Sequence, residues 1–198
     1  ISEGSIEPVL ELNDYEDLRR CNHEELINSL RQTVLIKLNG GMGTGMRLDK
    51  VKSLLPVRKG LNFLDIIVNQ LSYLRSYYCE DLRFLLMNSF STSDDTKSYL
   101  LKYPELGNPE NIELMQNRVP KINADTLDAV NFPDSRKLEW CPPGHGDVYA
   151  SLLGTGLLDS LLEEGIRFAF ISNSDNLGAT LDFEILNIFK ETGASFLM

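Results

Sequence analysis

KLNGGMGTGMRLDKVKSLLPV, residues 37–57, places four glycines within six positions (Gly40, Gly41, Gly43, Gly45), after the apolar run VLIKL and ahead of a basic cluster. A glycine-rich link between a strand and a helix lets backbone N–H groups converge on an anion without interference from Cβ atoms, and glycine accepts the positive φ angles that such a nest requires. Between Met46 and Gly60 stand Arg47, Lys50, Lys52, Arg58 and Lys59 against one acid, Asp49. The alternative is a plain turn, but the pairing of nest and positive charge favours a phosphate site. Two well-known phosphate motifs do not fit. Walker A requires Lys after its last glycine, where Met46 stands, and a dinucleotide fingerprint read from Gly41 and Gly43 ends on Met46 instead of glycine.

The basic cluster is local. The chain has 198 residues, 42% hydrophobic, 24% charged, with net charge −10. It can bury a core, and its acidity argues against nucleic acid or an anionic membrane as partner. Apolar runs such as FLLM and FAFI are far too short to span a bilayer, and ISEGSIEP lacks the basic region of a signal peptide. Cys21, Cys79 and Cys141 show no metal or redox spacing, which suits reduced thiols in the cytoplasm, and two histidines rule out a multi-histidine metal site.

Apolar periodicity predicts alternating elements. Two short helices are expected over 15–30, with Asn13 and Asn22 as N-caps, and a buried strand over Thr33–Leu38. Asn62 should cap a long helix with an apolar face through Phe63, Ile66, Ile67, Gln70, Leu71 and Leu74, and with Asp65 in its first turn. Strands are expected at Arg83–Asn88, Ile112–Met115, Arg167–Ser172 and Ser195–Met198. Helices are expected at Thr92–Tyr103, at Asp147–Glu164 with breaks at Gly154 and Gly156, and at Phe183–Lys190; residues 120–143 read as irregular. Strand and helix alternating in this way signal an α/β fold, a mostly parallel sheet covered on both faces, whose ligands sit at the strands' carboxyl ends.

LNGGMGTGMRLDKVKSLLPVRKGLNFLDIIVNQ resembles the nucleotide-binding loop of the UTP–glucose-1-phosphate uridylyltransferase (UDP-glucose pyrophosphorylase) family, LNGG-x-GT-x-M followed by a Lys-Ser/Thr-Leu-Leu segment and an FLD helix. Four further stretches agree in order: LLMNSFSTSDDT (85–96), MQNRVPKI (115–122), EWCPPGHGDVYASLL (139–153) and ISNSDNLGATLD (171–182), so the similarity covers residues 33–198. The resemblance implies a Rossmann-like nucleotidyltransferase catalytic domain over 33–198 behind an N-terminal helical segment, 1–32. It implies a cytoplasmic, Mg²⁺-dependent enzyme that transfers uridylyl from UTP to glucose 1-phosphate, giving UDP-glucose and pyrophosphate. Other UDP-sugar or UDP-N-acetylhexosamine pyrophosphorylases, or an inactive UTP-binding module, are alternatives.

All the reactants are anions, so catalysis in such a reaction is chiefly alignment and cation placement. Within the resemblance, Gly40, Gly41, Gly43 and Thr44 wrap the triphosphate, Leu38 and Asn39 count among the substrate-binding residues, and Lys52 binds phosphate oxygens. Arg47, where many relatives carry glycine, adds a cation to the loop. Asp175 in SNSDN holds Mg²⁺, a hard cation that prefers oxygen ligands, and Asn173 lies near the sugar or nucleotide; an Asx turn would use the same residues. In PPGHG, Gly144 approaches uracil and His145 donates to phosphate or sugar, unless Asp147 simply holds the ring. Met87 and Gln116 match uracil-contacting residues, with plain core packing the alternative for Met87.

The chain does not begin with Met, and GASFLM has the composition of a core strand with nothing after it. It is expected to be part of a longer protein, with a catalytic domain incomplete at the C-terminus, most of the uridine and triphosphate site, and half of the sugar-phosphate site missing.

Overall fold

The structure, a computed structural model, describes residue 4 and residues 14–42 and 51–198. In chain order the regular elements are α1 (His23–Arg31), β1 (Thr33–Asn39), β2 (Pro56–Arg58), β3 (Leu61–Asn62), α2 (Phe63–Tyr77), β4 (Arg83–Asn88), α3 (Ser93–Leu100), β5 (Glu113–Met115), β6 (Val119–Pro120), β7 (Trp140–Cys141), α4 (Val148–Gly154), α5 (Leu157–Glu163), β8 (Phe168–Asn173) and α6 (Phe183–Thr192). Contacts divide them into two units, residues 30–180 and residues 1–29 with 181–198.

The larger unit is built on a four-stranded, all-parallel sheet of order β5-β4-β1-β8. β1 is central and buried along its whole length, which is why TVLIKLN does not alternate apolar with polar. Side chains still alternate between faces. Val34, Ile36 and Leu38 join Leu85, Met87 and Leu114 in one core cluster with Val148, Leu152, Leu161 and Ile166, so α4 and α5 cover that face. Asn39, on the other face, bonds Thr96 of α3, and α3 is tied to α2 through Asp65. Helices thus lie on both faces, as the sequence predicts.

α2 begins in a capping box: Asn62 Oδ1 accepts from Asp65 N and Asp65 Oδ2 accepts from Asn62 N, each at 2.9 Å. Its buried apolar residues are Leu64, Ile67, Val68 and Leu71. The expected face through Phe63, Ile66 and Gln70 is therefore rotated: those three are only half-buried, and Gln70 spends its amide on the Leu177 carbonyl at 3.2 Å. Asp65, 2% exposed, also accepts from Tyr99 and Tyr103 and pairs with Lys102 at 2.7 Å. Burial alone would raise its pKa, but the Lys102, Tyr103, Asn62 and Tyr99 donors hold it down to about 2. The break after α4 falls at Thr155–Gly156, and residues 120–143 contain one short β6–β7 ladder.

In the smaller unit, Asn22 and Glu25 form a reciprocal cap on α1, while Asn13 lies outside the described residues. The first of the two helices expected over 15–30 is a short 3-10 turn, Tyr15–Asp17, capped by Asp14. α6 is capped by Asp182, which also accepts from Tyr15 Oη at 2.7 Å. Arg19 bridges Glu25 and Glu191. The strand expected at Ser195–Met198 does not form. Gly193 ends α6 in the left-handed region, and Phe196, Leu197 and Met198 are exposed. A strand is held by ladder bonds to a neighbour, and among the described residues none pairs with this segment.

Candidate functional site

Parallel strands deliver their C-terminal residues to one edge of the sheet, and most of the sequence-predicted site gathers there. Leu38 is in register with Met87 on one side and Asn173 on the other; Asn39 faces Asn88, and Asn88 faces Met115. Beneath this edge runs a buried polar network. Asn39 Nδ2 donates to Asn88 Oδ1 at 2.7 Å and to Thr96 Oγ1 at 3.0 Å, and Ser174 Oγ donates to Asn39 Oδ1 at 3.1 Å. Asn88 Nδ2 donates to Glu113, and Ser89 Oγ donates to the Gly40 carbonyl at 2.9 Å. Buried polar groups are tolerated only when bonded, and here each strand tip is fastened to its neighbour. The Asn39 side chain is wholly taken up by this network. Met87 is fully buried within the apolar cluster, in the packing position and away from the exposed rim.

Gly40 and Gly41 leave β1 at this edge. A Cβ on Gly40 would lie 2.7 Å from Gln116 Oε1, so any side chain at 40 would require the Gln116 amide to shift. The Lys52 amide bonds the Gly41 carbonyl at 3.2 Å, bringing the two ends of the loop together, and buried Val51 and Ser53 anchor its far end. Gly43, Thr44 and Arg47 lie outside the described residues.

The Lys52 ammonium forms an ion pair with Asp175 Oδ2. Asp175 sits in the turn after β8 in which the Asn176 amide bonds the Asn173 carbonyl at 3.2 Å. Its carboxylate takes Lys52 and no backbone N–H among the described residues, so it is not spent on an Asx turn. The pair is half open, with 39% of the lysine side chain and 29% of the aspartate side chain exposed. A single carboxylate at a strand tip beside a lysine suits Mg²⁺, which takes one or two protein carboxylates and completes its shell with water and phosphate oxygens. No cluster of three or more His, Cys, Asp or Glu is present among the described residues. Asn173 is exposed at the same tip.

Gln116 follows β5, and its backbone amide bonds the Asn88 carbonyl at 2.8 Å. Its Nε2 donates to the Gly144 carbonyl at 2.5 Å, while Oε1 is buried without a partner among the described residues. Gly144 sits at φ +113°, a conformation that side chains rarely adopt, so the PPGHG turn depends on it. His145 is exposed, and Asp147 does not hold its ring. Asp147 instead accepts from Asn117 N at 2.7 Å, Asn117 Nδ2 at 3.0 Å and Ser151 Oγ at 2.8 Å. Burial pushes the Asp147 carboxyl up, but the Asn117 and Ser151 donors keep it below the usual range. Gln116 and Asp147 thus bind the end of β5 to the Gly144–His145 turn at two points.

Sequence reading missed Ser174, Asn88, Asn117 and Lys37. An asparagine ending each of three adjacent strands, β4, β1 and β8, was a readable sign of Asn88, and a lysine in the middle of the apolar run VLIKLN was one of Lys37. Burial pushes the Lys37 pKa down.

A family model described as UTP–glucose-1-phosphate uridylyltransferase matches residues 1–198. The chain is 43% identical over 176 residues to the UTP–glucose-1-phosphate uridylyltransferase of Saccharomyces cerevisiae, an alignment covering 88% of this chain and 35% of the yeast protein. It superposes on a variant of Leishmania major UDP-glucose pyrophosphorylase in complex with UDP-glucose with a TM-score of 0.87 at 45% identity, covering 98% of this chain and 40% of that one. A Trypanosoma brucei structure described as UDP-glucose phosphorylase gives 0.83 at 49% identity, covering 100% of this chain and 41% of that one. The chain therefore spans about two fifths of those solved structures and about a third of the yeast relative. By sequence and by fold, the chain belongs to the UTP–glucose-1-phosphate uridylyltransferase family.

Proposed function

We propose that this chain supplies the UTP side of a Mg²⁺-dependent uridylyl transfer to glucose 1-phosphate, in which a phosphate oxygen of the sugar phosphate attacks the α-phosphorus of UTP and pyrophosphate leaves. The observation that carries this reading is the convergence at one sheet edge of Gly40 and Gly41, the Lys52–Asp175 pair, and Gln116 docked on Gly144. Lys52 would bind phosphate oxygens, with Gly43, Thr44 and Arg47 as further loop contacts, and Asp175 would hold the metal. Mg²⁺, when bound with the nucleotide, neutralises charge on the phosphates. The Gln116 amide oxygen has no hydrogen-bond partner among the described residues, and as an acceptor it suits the imide N–H of uracil and opposes the N3 lone pair of cytosine. Asn173 and His145 are exposed where a sugar phosphate would lie. The three unpaired cysteines accord with a reducing, cytoplasmic setting, and no helix among the described residues is long and apolar enough to cross a membrane.

The test is calorimetry of UTP, CTP and ATP with and without Mg²⁺, joined to pyrophosphate release with a panel of sugar 1-phosphates. UTP should bind more tightly than CTP or ATP, and more tightly with Mg²⁺. Equal affinity for the three nucleotides would overturn the assignment. Release by the full-length protein that selects glucose 1-phosphate fixes the sugar, whereas UTP binding by the full-length protein with no release from any sugar phosphate points to a binding module.

A further inference from the structure

Lys37 occupies the middle of the central strand and is 5% exposed. An ammonium is strongly hydrated in water, so a buried one must recover that hydration from fixed partners. No carboxylate pairs with it among the described residues. Its Nζ donates instead to two neutral oxygens, Ser172 Oγ at 2.7 Å and the Ala179 carbonyl at 2.9 Å, with the Phe170 ring 5.8 Å away. A Met or Leu would fill the same volume without the desolvation cost, so the charge is there for its donors.

Ser172 is the strand neighbour of Lys37 in the β1–β8 register, but Ala179 lies beyond the strand, in the segment that leaves the tip of β8 and carries Asp175. Besides the Lys52–Asp175 pair, three side chains from other elements hold that segment. Asn39 of β1 accepts from Ser174, Gln70 of α2 donates to the Leu177 carbonyl at 3.2 Å, and Lys37 takes Ala179. Asp175 lies between the first and second ties. Among the described residues, the only other bonds that fix residues 177–180 are the short internal turns from Ala179 N to Asn176 O and from Thr180 N to Gly178 O.

We propose that Lys37 is a positioning residue: from within the sheet it clamps the Ala179 carbonyl and so fixes the 174–180 segment that presents Asp175. The consequence for metal rests on the functional reading above; the clamp itself does not. A charge-assisted hydrogen bond in a dry interior is stronger than a neutral one, which explains why an ammonium is used where a hydroxyl or amide would reach less far.

Lys37→Met keeps the packing and removes the clamp. Amide hydrogen exchange should quicken at least tenfold in residues 174–180, with β4 unchanged, and the Mg²⁺ concentration that half-saturates the strengthening of UTP binding should rise several-fold. UTP affinity without metal should stay within about twofold. Gln70→Leu, which removes the neighbouring tie, should act the same way and more weakly. Exchange that is unaltered in 174–180, or that quickens equally across β1 and β4, would reject the clamp. Should Lys37→Met not fold, Lys37→Arg, which keeps the charge but displaces the donors, is read by the same local exchange. If wild-type protein shows no Mg²⁺-dependent UTP binding, the functional reading fails, and the exchange pattern still decides the clamp.

Discussion

Two aspartate–lysine pairs, Asp65–Lys102 and Asp175–Lys52, look alike in the sequence and differ in everything around them. Asp65 is almost wholly buried and accepts from the Asn62 amide, Tyr99, Tyr103 and Lys102, which also lies 3.8 Å from the Tyr99 ring centroid. Its lone pairs are all engaged. Among the described residues Asp175 has one partner, Lys52, and both side chains are partly exposed. A saturated carboxylate holds structure, whereas one with spare lone pairs and a partner that can be exchanged is free to meet a ligand. Exposed ion pairs contribute little to stability, so giving one up costs little.

The sharpest way to break this contrast is Asp65→Ala. It strands two tyrosine hydroxyls and the Lys102 ammonium and removes the carboxylate half of the α2 capping box, so the urea midpoint should fall by the equivalent of about 2–4 kcal/mol at constant m-value. A shift as small as that of a surface substitution would put Asp65 in the same class as Asp175. Next, Lys52→Ala should weaken UTP binding by about 1.5–3 kcal/mol, measured by calorimetry, while thermal unfolding hardly moves.

A third, smaller effect concerns acid. Because the folded Asp65 pKa is depressed from 3.8 to about 2, its contribution is complete above the unfolded value and is lost as pH falls through the folded one. Urea titrations between pH 4 and pH 2 should therefore show a loss of about 1–2 kcal/mol that Asp65→Asn abolishes. A parallel loss in the variant would assign the acid limb to other carboxylates. The smallest change is expected from Asp175→Asn: folding stability within about 0.5 kcal/mol of wild type, with a higher Mg²⁺ requirement for UTP binding. A large loss of stability there would show that Asp175 is structural after all.

The same contrast explains how far the sequence could be read. β1 and β4 were legible because VLIKL and FLLM are apolar over the length of a buried parallel strand, and Asn62 with Asp65 spells a helix start; FAFI also gave a strand, though β8, expected to be buried, is an edge strand with none of its residues buried. The loop glycines, Lys52, Asp175, Gln116 and Gly144 were legible through the motifs that carry them, and the fold brings those it describes to one edge. What was not legible depended on partners distant in the chain. Nothing near Lys37 announces Ala179, and nothing near Asp147 announces Asn117. Local composition also favoured a strand at GASFLM, but a strand exists only where a neighbour offers its ladder. The face of α2 slipped by one position because Gln70 was counted with the apolar residues when its amide had another use.

The order of the strands also sets a timetable for folding. β1 is made first among the strands of the main sheet, yet both of its neighbours come later: the Asn39–Asn88 bond spans 49 positions and the Lys37–Ser172 bond spans 135. At roughly 5–20 residues per second of synthesis, β1 has one open edge for several seconds after β4 emerges. Until β8 arrives, Lys37 has neither of its acceptors and one flank of VLIKL has no ladder. The nascent chain therefore passes through an interval in which its most apolar strand is half paired, the condition that invites chaperone capture and slow, non-local closure.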